Sequence, residues 1–166
     1  MHSSTTPKPL YTPAQRARRD ATVWTLVQGI LAPVQFVIFL VSVILVLRYL
    51  MTGEGYMAAT ASILLKTAAL YIIMVTGAIW EKVVFGQYLF APGFFWEDVV
   101  SFGVIALHTL YLYGLLTGSM PSHTLMYITL AAYVAYVLNA GQFLWKLRVA
   151  RLQSNATSAQ QSEVVA

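Results

Sequence analysis

The chain has 166 residues, of which 58% are hydrophobic and only 10% charged, and it contains no cysteine. Soluble domains carry roughly 25% charged residues, so lipid is the solvent for much of this chain, and disulfides, thiolate metal sites and cysteine nucleophiles are excluded. The net charge of +4 comes mostly from the two ends, a membrane-topology pattern rather than a nucleic-acid footprint.

In chain order, residues 1–12 read as a disordered tail rich in Ser, Thr and Pro. No cleavable signal peptide is expected, because the first twenty residues are polar and the first apolar run is too long. Thr12-Pro13-Ala14-Gln15 has the form of a capping box, with Pro13 suited to the first helical position. A helix is expected to carry Arg16, Arg18 and Arg19 into the first apolar run.

Four spans follow within residues 13–151: about Thr22 to Leu50, with a kink expected at Pro33; Met57 to Trp80; Trp96 to Thr117; and Thr124 to Leu147. Each reaches the roughly 20 residues that cross a bilayer as a helix. The fold class is therefore all-α, a polytopic membrane protein of four transmembrane helices. Residues 152–166 read as a flexible tail. Lys8, Arg16, Arg18 and Arg19 precede the first span, and Lys146, Arg148 and Arg151 follow the last. Both termini are therefore expected in the cytoplasm, with the loop from Glu81 to Asp98 on the same side. Arg48 departs from this pattern, and Glu54 is its expected partner.

The loop EKVVFGQYLFAPGFFWED is the most informative stretch. It holds three of the six acidic residues and six aromatics. Glu81 ends the second span, while Glu97 and Asp98 begin the third, so antiparallel packing brings three carboxylates to one membrane depth. Interfacial charges paired to Lys82 would account for them, but a solvated loop has no need of so apolar a sequence. The helix dipole favours anionic Glu97 and Asp98 in a first turn and disfavours anionic Glu81 in a last turn. Glu81 is thus the candidate proton donor, and Glu97 or Asp98 the candidate to hold water and take its proton. Lys82 would reverse these roles by stabilising ionised Glu81. Tyr88, Phe94, Phe95 and Trp96 are candidate walls for a large planar substrate, or an interfacial belt.

His108, in the third span, is eleven residues beyond Glu97 and nearly on its face. It is either a helix-joining histidine or an axial ligand to a metal in a macrocycle. Its depth, roughly 16 Å beyond Glu97, separates it from the carboxylates. Lys66 reads as structural. Gln28, Gln35, Asn139 and Gln142 read as interhelical amides, and Gly114 with Gly118 as a GxxxG packing signal. No phosphate loop, HExxH, nucleophile elbow or metal cluster is present in the sequence.

The segments LYTPAQRARRDATVWTLVQGILAPVQF, LKTAALYIIMVTGAIWEKVVFGQYLFAPGFFWEDVVS and YVLNAGQFLWKLRVARLQ resemble the vinyl bacteriochlorophyllide hydratase family, over roughly Leu10 to Gln153. The resemblance implies a hydro-lyase that adds water across the C3 vinyl group of a chlorophyllide or bacteriochlorophyllide. The 3-(1-hydroxyethyl) product would pass to a separate dehydrogenase. It implies no cofactor, since the substrate brings its own magnesium, and a location in the bacterial cytoplasmic or photosynthetic membrane. The substrate propionate is expected to meet Arg16, Arg18, Arg19 or Lys82. Two other readings are a non-catalytic pigment carrier or assembly factor using His108 and the aromatics, and a four-helix scaffold. The clustering of three carboxylates at an apolar loop argues against both.

Overall fold

The structure, a computed structural model, describes residues 9–165, with side chains through Gln153. Most of the segment read as a disordered tail lies outside the described residues. All the described regular structure is helical. The short helix α1, Pro13–Ala21, starts at the expected capping box: the Thr12 amide donates to Gln15 Oε1 at 2.9 Å, and the Gln15 amide to Thr12 Oγ1 at 3.2 Å. It does not run on into the first span. Thr22 is extended (φ −88, ψ 137), and its hydroxyl accepts from the Trp24 amide to start a new helix. A second cap residue, Ser/Thr-type chemistry at the lipid boundary, separates the basic helix from the apolar one.

Four long apolar helices follow: α2 Val23–Thr52, α3 Tyr56–Phe85, α4 Phe95–Thr117 and α5 Ser122–Val165. Each is long and apolar enough to cross a membrane, α5 through its part Ser122–Gln153. This is a multi-pass membrane architecture. Glycines in the left-handed region end α2, α3 and α4, at Gly53 (φ 76), Gly86 (φ 89) and Gly118 (φ 62), as the C-terminal cap geometry favours. The helices are apolar on all sides, so Ile44, Leu65, Val75, Leu116 and Leu144 face outward, as lipid permits.

Packing is concentrated within two hairpins, α2 with α3 and α4 with α5. Gln28 joins the first hairpin through Thr76 (2.7 Å), and Asn139 joins the second through Ser101 (2.7 Å). The seam between hairpins is thinner and is bridged by hydroxyls: Ser42 with Tyr133 (2.5 Å), Tyr71 with Thr109 (2.7 Å) and Tyr49 with Ser122 (2.8 Å). Val46, Ile63, Val104 and Met126 fill the central core. The two glycines of the GxxxG signal have different tasks. A Cβ on Gly114 would lie 2.7 Å from Met120 Sδ and 2.9 Å from Leu125 Cδ2, so close helix packing needs glycine there, whereas Gly118 is a cap.

A second core closes one end of the bundle. Tyr11, Val84 and Phe94 are buried there with Trp80, Phe85 and Phe143 around them. Tyr11 stacks on Phe85 at 5.7 Å, and Phe94 on Phe143 at 5.9 Å. Trp80 Nε1 donates to Thr25 Oγ1, which donates in turn to the Arg19 carbonyl. These contacts tie α1 to the loop joining α3 and α4. The ion pairs among the described residues are Arg19–Asp20 and Lys146–Glu97, so the expected Arg48–Glu54 pair does not form.

Candidate functional site

The loop 86–94 lies between the end of α3 and the start of α4, and its backbone shapes the site. Gly86 reverses the chain with its amide on the Lys82 carbonyl. Phe90 then adopts φ 59, the one non-glycine in the left-handed region among the described residues. That conformation is uncommon for a bulky side chain, and it turns two successive amides inward. The Phe90 amide donates to Asp98 Oδ2 at 2.6 Å, and the Ala91 amide to Glu81 Oε2 at 3.2 Å. Successive amides aimed this way form a concavity for anions, filled here by the protein's own carboxyl groups.

Glu81, Glu97 and Asp98 are all buried. The Glu81 and Asp98 carboxyls are hydrogen-bond neighbours. Glu97 is held separately. Its Oε2 lies 2.5 Å from Lys146 Nζ, which also donates to the Gly93 carbonyl. The site therefore consists of a carboxyl pair without a cation of its own and, beside it, a neutral ion pair. The helix ends bring together the three carboxylates singled out from the sequence.

Lys82 stands elsewhere. It is exposed, donates to the Gly86 carbonyl at 2.8 Å and lies 5.3 Å from the Tyr88 ring. Lys146 takes the place expected of Lys82 as the carboxylate's cation. The aromatic run divides. Phe94 is buried against Trp80 and Phe143, whereas Tyr88, Phe95 and Trp96 are exposed. Phe90 stacks on Phe102 at 5.5 Å and meets Phe95 at 5.6 Å. Phe90, Phe95 and Phe102 thus form an outward aromatic group beside the loop, and Phe94 belongs to the core beneath it. Burial pushes the Tyr11 phenol up from its usual range, with Arg19, whose guanidinium sits 4.8 Å from the ring, opposing.

His108 is buried, and its Nδ1 is 2.9 Å from the Val104 carbonyl. A carbonyl only accepts, so Nδ1 carries the hydrogen and Nε2 presents a lone pair, without a partner. His108 is ten residues beyond Asp98, roughly 15 Å along α4, and does not join the carboxylates. An apolar groove of about 370 Å³ runs between α2 and α5, lined by Phe39, Val43, Leu130, Tyr133, Val134, Val137 and Leu138. Its Tyr133 wall is 6.0 Å from the His108 ring. No three His, Asp or Glu side chains gather as a metal set among the described residues.

Residues 11–149 match the family model described as 2-vinyl bacteriochlorophyllide hydratase (BCHF). A protein of that name from Rhodobacter capsulatus is 71% identical over 152 residues, covering 92% of this chain and 88% of the relative. Another, from Cereibacter sphaeroides, is 74% identical over 147 residues, covering 89% of this chain and 91% of the relative. No solved structure matches the chain.

Proposed function

The chain belongs to the 2-vinyl bacteriochlorophyllide hydratase family, and from that premise we propose that Glu81 and Asp98 are the acid and base that add water to the vinyl group. The observation that carries the assignment is the buried Glu81–Asp98 carboxyl pair, each member held by one of two successive amides. Two carboxyls this close in an apolar setting hold one proton between them. The shorter amide contact is to Asp98, so Asp98 is the anion and Glu81 carries the proton.

The reaction then balances within the pair. Glu81 gives its proton to the terminal CH2 of the vinyl arm, which becomes CH3. The positive charge forms on the carbon next to the ring, where the macrocycle spreads it and anionic Asp98 stabilises it. Water attacks that carbon, and Asp98 takes a proton from it. Transfer across the Glu81–Asp98 hydrogen bond restores the starting state. No electrons are exchanged with an outside donor, so the balance calls for no redox cofactor. Magnesium enters only as part of the substrate. Glu97 and Lys146 position the loop: Lys146 clamps the Gly93 carbonyl, three residues from the amide that holds Asp98.

The basic residues Arg16, Arg18, Arg19, Arg148 and Arg151 belong to the same end of the bundle as the carboxylates. By the positive-inside rule that end faces the cytoplasm of a bacterial photosynthetic membrane, where a hydroxyethyl dehydrogenase would receive the product. Hydration in heavy-oxygen water and in deuterium oxide tests the scheme. One solvent oxygen is expected in the carbinol and one solvent deuterium in the new methyl group. A methyl group free of solvent deuterium overturns proton delivery by an exchangeable carboxyl. A carrier role would instead rest on the His108 Nε2 lone pair, and it predicts pigment binding that is abolished by removing His108 and little changed by loss of the carboxylates.

A further inference from the structure

Lys66 is completely buried in α3, and its ammonium has no hydrogen-bond partner. The group beside it is the Tyr136 ring, with Nζ 3.4 Å from the centroid. A π-face offsets only part of the cost of desolvating an ammonium. The six acidic residues of the chain are Asp20, Glu54, Glu81, Glu97, Asp98 and Glu163. All lie at helix ends or outside the spans, so no carboxylate of this chain shares the depth of Lys66.

The surroundings are also incomplete. His108 Nε2 and Gln35 Nε2 are buried without partners. The Tyr111 and Thr60 hydroxyls are neighbours and answer each other. The pairs Ser42–Ser62 and Gln28–Thr76 fix the register of α2 on α3. That register puts Gln35 level with the turn just after Lys66. Buried polar groups are ordinarily satisfied, and orphans inside a membrane bundle mark a place where something polar binds. The donors left open are one cation and an amide, while the Thr60 and Tyr111 hydroxyls face each other. A carboxylate answers those donors, and the His108 lone pair, an acceptor, stands outside its contacts.

We propose that this chamber receives the free propionate of the bacteriochlorophyllide while the vinyl arm lies between Glu81 and Asp98. The identity of the ligand rests on the hydratase reading. The vinyl and propionate arms leave neighbouring rings of the macrocycle and point away from each other. His108 is roughly 15 Å from Asp98 along α4 and Lys66 roughly 22 Å from Glu81 along α3, so the ligand has to reach well into the bundle from the carboxyl pair. The macrocycle would lie along the bundle axis in the thin seam between the hairpins, with the Tyr133 wall of the α2–α5 groove beside it. Lys66 is then a specificity-determining residue that selects the free acid over pigments whose carboxyl is already esterified.

The test is a binding titration of the full-length protein with a 3-ethyl analogue, which cannot be hydrated, as the free acid and as the methyl ester. Wild-type protein is expected to prefer the acid by about 10- to 100-fold, the scale of one charged hydrogen bond. Lys66→Met should abolish the preference, Lys66→Arg should keep part of it, and Arg19→Gln should leave it intact. Lys66→Met removes an ion from an apolar interior, so it should insert and melt no lower than wild type. If it fails to insert, Gln35→Leu serves, with a several-fold drop in the ratio expected. A preference that survives Lys66→Met, or one lost with Arg19→Gln, overturns the proposal. Hydration without any acid preference overturns it alone. Acid preference without hydration sinks the hydratase mechanism and leaves this site standing.

Discussion

Glu81→Gln separates the chemistry from the architecture. A glutamine at 81 keeps both contacts of the native side chain. Its carbonyl accepts from the Ala91 amide, now 3.2 Å from Glu81 Oε2, and its amide nitrogen donates to Asp98. Stability should therefore change by less than about 1 kcal/mol. What disappears is the transferable proton. Loss of general acid–base catalysis costs typically 10²- to 10⁴-fold in rate, about 3–5 kcal/mol of barrier. Asp98→Asn should do the same, since its carbonyl still accepts from Phe90 and its amide donates to Glu81. The two groups share one proton, so the double variant should be no slower than the worse single variant. The assay is the initial rate of hydroxyethyl formation in detergent, followed by pigment absorption and mass, with kcat separated from KM. The loss should fall in kcat. If both single variants melt normally and stay within about tenfold of wild type, or if the two losses multiply in the double variant, the shared-proton mechanism is wrong.

Lys146→Met leaves buried Glu97 without its cation and the Gly93 carbonyl without its donor. Breaking a buried pair costs about 3–5 kcal/mol. The Lys146 side chain is 26% exposed, so about 2–4 kcal/mol is expected in thermal unfolding after solvent screening, with most of it recovered by adding Glu97→Gln. Phe90→Val should cost about 1–2 kcal/mol and depress activity, because a β-branched residue resists φ 59; Phe90→Asn, which tolerates that region, should retain more activity in the same assay. Gly114→Ala should lower the melting temperature by overpacking against Met120 and Leu125, a cost of about 1–3 kcal/mol. Tyr11 has its phenol pushed up by burial. Its contribution to stability is therefore present below the unfolded value of 10.0 and is lost as pH rises beyond it. Tyr11→Phe should melt like wild type at neutral pH, since the hydroxyl lacks a partner, and should flatten the alkaline loss.

The spans were legible because hydropathy over twenty or more residues has one reading in lipid. The capping box at Thr12 was legible because its chemistry is local. The meeting of Glu81 with Asp98 followed from a short connection between antiparallel helices. The Lys146 clamp did not follow, because it depends on α5 running back along α4 until residues forty-nine apart meet. One signal was available: Lys146 follows the last apolar run at the depth where Glu97 opens the third. The aromatic run could not be sorted by composition. Phe94, Phe95 and Trp96 are consecutive, and successive helical positions step around the axis, so one turns inward and two outward. The positive φ of Phe90 had no trace in the sequence. It occurs at a phenylalanine, where a turn of that kind calls for glycine or asparagine.

The two polar sites of this bundle differ in a way that bears on what each does. At the loop end every charge has an answer inside the protein. Lys146 meets Glu97, two amides meet Glu81 and Asp98, and one proton completes the pair. Such a site is finished before substrate arrives, as catalysis by preorganised groups requires. Mid-bundle, Lys66, His108 and Gln35 have polar atoms with no answer. Polar groups at that depth depend on partners inside the bundle. Orphan donors there are costly in the empty protein and profitable only when a ligand supplies the missing acceptor. The first arrangement suits a transition state and the second a binding group. A large pigment that is polar at one arm and reactive at another offers a partner for both.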